Sequence, residues 1–197
     1  MDIFAEIDRC LNQDGCAHLR LELAGSGTSL ERFSRAFDRV RTLADDLYGA
    51  DEHLYAVIRM FPRELPGGKR NPKLAVQRAL AQVGFEGIPE LARRRRRWPW
   101  KDSGLHTERL YALPPSSPAL LGLLWAVCAD ELGVTPQCSL NLYLIDRGLT
   151  VLMHPYDDRG VDIVSPDVER LRPLWRQRHA WMLAYNLPEM TESFGPP

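Results

Sequence analysis

Between His154 and Asp162 the chain sets one imidazole and three carboxylates, Asp157, Asp158 and Asp162, within nine residues. Hard oxygen donors and an imidazole at that density are ligands that Mg²⁺, Mn²⁺ or Zn²⁺ accepts. Carboxylates beside an imidazole can also move protons, so a metal-dependent hydrolase or nuclease acting through His154, Asp157, Asp158 and Asp162 is one reading. The same residues suit a hairpin. Asp and Gly are what a tight turn selects, Arg159 is placed to pair with an aspartate, and strand alternation can point His154 and Asp162 to different faces. The hairpin reading is preferred, so no catalytic residue, metal ligand or cofactor is assigned.

A second cluster lies in the middle of the chain. Arg93, Arg94, Arg95, Arg96 and Arg97, followed by Trp98, Trp100 and Lys101, gather six positive charges around two indoles. Such a group can hold an acidic protein partner, or it can neutralise phosphates while indoles stack on bases. A solvated loop that balances acidic neighbours is the plain alternative. Net charge is −1 over 197 residues, so the molecule as a whole does not attract polyanions. A protein partner is therefore placed ahead of nucleic acid.

Other chemistries find little support. No Gly-x-Ser-x-Gly elbow is present, and Gly25-Ser26-Gly27-Thr28 lacks the lysine and spacing of a phosphate-binding loop. Cys10, Cys16, Cys128 and Cys138 match neither a redox pair nor a paired zinc pattern, and reduced thiols are expected. No apolar run reaches about 18 residues and the first 15 residues mix charges into their apolar positions. Membrane association is not expected, and the cytoplasm is the expected location. Oligomeric state is left open.

The elements that must position these clusters follow from periodicity. A helix is predicted over Asp2 to Leu11 at an edge of the core, then a strand in which Leu19, Leu21 and Leu23 alternate with His18, Arg20 and Glu22. Thr28-Ser29-Leu30-Glu31 is a capping box that opens a helix with apolar residues at three- and four-residue steps up to Leu47. A strand over Leu54 to Phe61, a helix over Pro72 to Val83, a strand over His106 to Leu113 and a helix opened by Ser117-Pro118 come next. Residues 84 to 105 show no periodicity and read as a basic surface connection. Ser139 to Ile145, Leu149 to Pro155 and Val161 to Ser165 form a three-strand meander. A final helical region opens at Ser165-Pro166, with Pro173 interrupting it and Trp175, Trp181 and Tyr185 as large anchors, read as core ahead of interface. Residues 1–197 are thus expected to form a single α+β domain with a mixed or antiparallel sheet covered by several helices.

The segment Tyr156-Asp157-Asp158-Arg159-Gly160-Val161-Asp162 resembles the Tyr-Asp-Asp-Arg-Gly-x-Asp signature of a bacterial group, domain-of-unknown-function family 3885. The likeness extends to Leu19-Arg20-Leu21-Glu22-Leu23, to Asp51-Glu52-His53-Leu54-Tyr55, and to Leu171-Arg172-Pro173-Leu174-Trp175 with Trp181 to Asn186. It implies a fold and transfers no catalytic residue, so function has to be argued from the site. The expected function is a non-enzymatic protein-interaction module, such as an immunity or antitoxin-like protein, using Arg93 to Arg97 with Trp98 and Trp100. The metal-dependent enzyme and nucleic-acid binding through Arg93 to Arg97 stand as alternatives.

Overall fold

The computed structural model describes residues 2–12, 15–61, 65–97 and 105–197, with only the backbone of Arg97 and Leu105. The helices begin where short polar side chains satisfy open amides. Asp2 accepts from the Phe4 and Ala5 amides to open α1 (Ile3–Leu11). The Thr28 hydroxyl accepts from Glu31 N at 3.3 Å and the Glu31 carboxylate accepts from Thr28 N at 2.9 Å, which is the expected capping box of α2 (Ser29–Tyr48). Asn71 opens α3 (Pro72–Gln82) and Ser117 opens α4 (Pro118–Ala129), each with proline in the first turn. The last region differs from expectation: Asp167, not Ser165, caps α5 (Val168–Gln177), while Ser165 accepts from the Asp167 amide. Pro173 lies inside α5, and α6 (Leu187–Phe194) closes the chain.

The strands are β1 (Ala17–Glu22), β2 (Leu54–Met60), β3 (Ala92–Arg97), β4 (Leu105–Leu113), β5 (Asn141–Asp146), β6 (Leu152–Pro155) and β7 (Gly160–Ser165). They form one sheet in the order β1-β7-β6-β5-β2-β4-β3, antiparallel at every pairing. The architecture is α+β. The meander β5-β6-β7 sits inside this larger sheet, extended by β1 on one flank and β2 on the other, so it does not stand as a separate unit. Residues 92–97 correct the expectation of a basic loop, because the arginine run is the edge strand of the sheet.

Alternation divides the sheet into two unequal faces. Leu19, Leu21, Ala56, Ile58, Tyr111, Leu113, Leu142, Leu144, Met153, Val161 and Ile163 join α2, α3, α4, α5 and α6 in the main core. Gly122 lets α4 close on the end of α3, where a Cβ would fall on the Val83 carbonyl oxygen. Val57, Leu110, Tyr143, Ile145, Leu152 and Val164 face the other way and pack against Phe4, Ile7 and Cys10 of α1. The first helix thus covers the second face of the sheet instead of an edge of the core.

Candidate functional site

The signature segment turns the chain between β6 and β7. Asp157 accepts from Arg159 N at 2.7 Å and from the Arg159 guanidinium, closing the turn on itself. Asp158 is fully buried and takes a hydrogen bond from Arg32 of α2 at 2.6 Å, which ties the hairpin to the helix. Burial pushes the Asp158 carboxyl above its ordinary value despite Arg32, and its Oδ1 has no partner among the described residues. Glycine at position 160 leaves room for the Tyr156 ring: a Cβ there would land on the Tyr156 hydroxyl and lie 3.0 Å from the Leu21 carbonyl oxygen, so a side chain would displace the ring. Four of the signature residues, Asp157, Asp158, Arg159 and Gly160, therefore shape a turn.

Asp162 and His154 do something different. They sit directly opposite each other in the β6–β7 register, so both point to the face carrying α1. This corrects the expectation that alternation separates them, and it also removes Asp157 and Asp158 from their company. Among the described residues no three His, Cys, Asp or Glu side chains come together as a metal site. The predicted four-residue cluster is split into a turn, a helix anchor and a sheet-face pair.

That pair is one part of a polar row that crosses all seven strands. Arg20 of β1 donates to Asp162 at 2.7 and 3.1 Å, and His18 Nε2 lies 3.2 Å from the same carboxylate. His154 follows on β6, with Tyr143 of β5 stacked on it at 4.3 Å and Tyr156 edge-on at 6.1 Å. The Arg59 guanidinium of β2 lies 4.8 Å from the centre of the Tyr143 ring. Arg59 Nε then donates to Glu108 of β4 at 2.8 Å, and Arg94 Nε of β3 donates to the other Glu108 oxygen at 2.6 Å. Arg94 and Arg96 both reach Asp8, so the row ends on α1.

The electrostatics of the row are those of mutual satisfaction. Burial works against the charge on Glu108, yet Arg94 and Arg59 hold its carboxyl below the ordinary range. Burial likewise opposes ionisation of Asp162, but His18 and Arg20 bring it down to about 2 from 3.8. His154 is pushed down by burial, which leaves it neutral, and its Nδ1–H donates to the Leu142 carbonyl oxygen at 2.9 Å. Buried His106, 3.3 Å from Glu108, is also lowered by burial and then by Arg59. Burial pushes the thiols of Cys10 on this face, and of Cys128 and Cys138 in the main core, up to about 12, so none of the three is activated. The row is chemically a ladder of paired charges.

Its pH dependence follows from the direction of the shifts. A carboxyl lowered in the folded state contributes stability that is complete above its unfolded value and is lost as pH falls through the folded one. For Asp162 that window runs from pH 3.8 down to about 2, with a contribution of about 2 kcal/mol. Urea unfolding of wild type and Asp162→Asn between pH 5 and pH 2 should show the two stabilities converging as pH falls. A constant difference across that range would contradict the pairing.

The arginine strand is largely matched by acids. Arg93 donates to Glu90 at 2.7 Å, Arg94 pairs with Glu108 and Asp8, and Arg96 pairs with Asp8. Arg95 is exposed and has no acidic partner among the described residues. Trp98, Trp100, Lys101 and the side chain of Arg97 lie outside the described residues. Sequence reasoning missed Arg59, Glu108, Asp8 and Tyr143. The available signals were Arg59, the single charge in the apolar run Leu54 to Met60, and Glu108, an acid in a strand that also carries Arg109.

The aromatic anchors of the C-terminal region divide three ways. Trp175 is core, Trp181 is half-buried between the guanidiniums of Arg39 and Arg178, and Tyr185 is 88% exposed. No described helix is long and apolar enough to cross a membrane. Compared with known families, residues 14–186 match the model described as Domain of unknown function (DUF3885). No curated protein and no solved structure matches the chain.

Proposed function

Because the chain belongs to the DUF3885 family, whose signature here builds a hairpin anchored to α2, we propose that it acts by binding another protein and not by catalysis. The observation that carries this reading is the arginine strand β3. It lies at the end of the sheet, pairs with β4 on one side, and has no strand on its other side among the described residues. An open edge offers a row of backbone donors and acceptors to an incoming extended segment. Arg95 is exposed with no acidic partner among the described residues, and Arg93 and Arg96 nearby are exposed though paired with Glu90 and Asp8. The fitting occupant is an acidic, extended segment of a partner protein.

Other features agree. The charges of the polar row are paired within the fold, and the buried thiols are not ionised near neutral pH. A compact protein that presents a charged edge can occlude a partner's site, which is how an immunity or antitoxin-like protein would work. The free thiols of Cys10, Cys128 and Cys138 suit a reducing compartment such as the cytoplasm. Nucleic acid is disfavoured because a net charge of −1 gives the molecule no general attraction for a polyanion.

The test is a binding titration of a labelled alternating Glu-Val peptide, beside a Lys-Val peptide and a single-stranded oligonucleotide. The Glu-Val peptide should bind, and Arg95→Glu should weaken it about tenfold or more without changing the melting temperature. Equal binding of both peptides, or none, overturns the reading. Binding of the oligonucleotide alone, with a steep salt dependence, would move the assignment to nucleic acid.

A further inference from the structure

On the main-core face of the sheet, opposite the polar row, a cavity of about 390 Å³ opens between α3 and the paired strands β3 and β4. That volume is in the range of small-molecule pockets. Its apolar wall includes Phe85, whose ring meets Tyr111 edge-on at 4.8 Å. Its polar wall carries three cations against the two carboxylates Glu86 and Glu90: Lys73 comes from α3, while Arg93 and Arg109 come from adjacent strands and are directly opposite in register. Two guanidiniums facing each other across strands repel unless an anion lies between them.

Glu90 is that anion in part. It accepts one hydrogen bond from Arg93 Nε at 2.7 Å and one from Arg109 Nη1 at 2.5 Å. Each guanidinium offers five N–H donors, so a single carboxylate leaves most of them unused. Arg109 is only 8% exposed, and its buried Nε has no partner among the described residues. A buried, incompletely answered arginine is costly to keep in a fold. Here it forms part of the wall of a cavity that Tyr111, two residues further along β4, and Phe85 also line.

We propose that this cavity binds a small organic anion, its carboxylate or phosphate headgroup on Arg109, Arg93 and Lys73 and its flat apolar body against Phe85 and Tyr111. Planar bidentate recognition of carboxylate or phosphate is what paired guanidiniums do best. Glu90 competes with the ligand for the same donors and so sets the affinity. The cavity shares Arg93 with the edge strand, but Arg109 and Lys73, which line it as well, take no part in the edge proposal, so neither proposal depends on the other.

Calorimetric titration of the full chain with phenyl phosphate, benzoate and benzyl alcohol tests this directly. One or both anions should bind at least about tenfold more tightly than the neutral alcohol, and the better of the two identifies the headgroup. Lys73→Gln should weaken the better anion about fivefold, and Glu90→Gln should strengthen it by a similar factor. Opposite signs from two neutralising substitutions separate a binding site from a change in folding. Equal binding of the alcohol, no binding of either anion, or the same direction of change in both variants overturns the proposal.

Discussion

Replacing Glu108 with alanine will destabilise the protein by about 3–5 kcal/mol, the range found when one partner of a buried ion pair is removed. Glu108 is 1% exposed and Arg59, which donates to it, is 4% exposed. Without the carboxylate, Arg59 keeps its charge under the sheet face and loses the acceptor of its Nε, with the Tyr143 ring beside it. Arg94 loses the same acceptor but keeps Asp8, so the damage centres on β2 and not on the edge. Urea unfolding at pH 7 measures the loss. The double variant Arg59→Met/Glu108→Met should recover much of it, since a buried pair replaced by packed apolar side chains is often neutral. A loss under about 1 kcal/mol for Glu108→Ala would mean that water reaches this row and that its burial is not what holds it.

Trp175→Ala is the second large effect, again about 3–5 kcal/mol, from lost burial and the cavity left behind. The indole is fully buried, stacks on Phe194 with ring centres 5.5 Å apart, and donates from Nε1 to the Gly195 carbonyl oxygen at 3.2 Å. It thereby ties α5 to the residues that end α6, beside the bond from Arg172 Nη1 to the Phe194 carbonyl oxygen at 2.6 Å. Hydrogen exchange should show α6 losing protection before β5 or β2 does, because α6 packs on α5 and the edge strand β1 while β5 and β2 lie inside the sheet. Trp175→Phe keeps most of the packing and should cost distinctly less. Uniform loss of protection across the chain would show that the C-terminal helix is not a separable unit.

Local signals placed most of the helices and strands. The capping residues Asp2, Thr28, Asn71 and Ser117 act within three residues of themselves, so their effect is written in the sequence around them. Leu19, Leu21 and Leu23 alternate because that strand has one face in the main core. The arginine strand escaped the same reasoning. Its two faces carry the same residue, so no apolar alternation marks it, and what separates Arg94 from Arg93 is that one meets Glu108 and the other Glu90. Trp175, Trp181 and Tyr185 were equally ambiguous, since periodicity does not say which large ring finds a partner.

The sequence by itself determined the family signature, the capped helices, the apolar stripes and the turn chemistry of Asp157 to Gly160, all of which rest on contacts between near neighbours. Tertiary structure alone decided that His154 and Asp162 share a face while Asp157 and Asp158 leave it. It alone joined Arg20, Asp162, His154, Tyr143, Arg59, Glu108, Arg94 and Asp8 into one row. The reason is register: side chains in a sheet repeat every two residues, so a shift of one residue in any pairing would send that strand's part of the row to the opposite face.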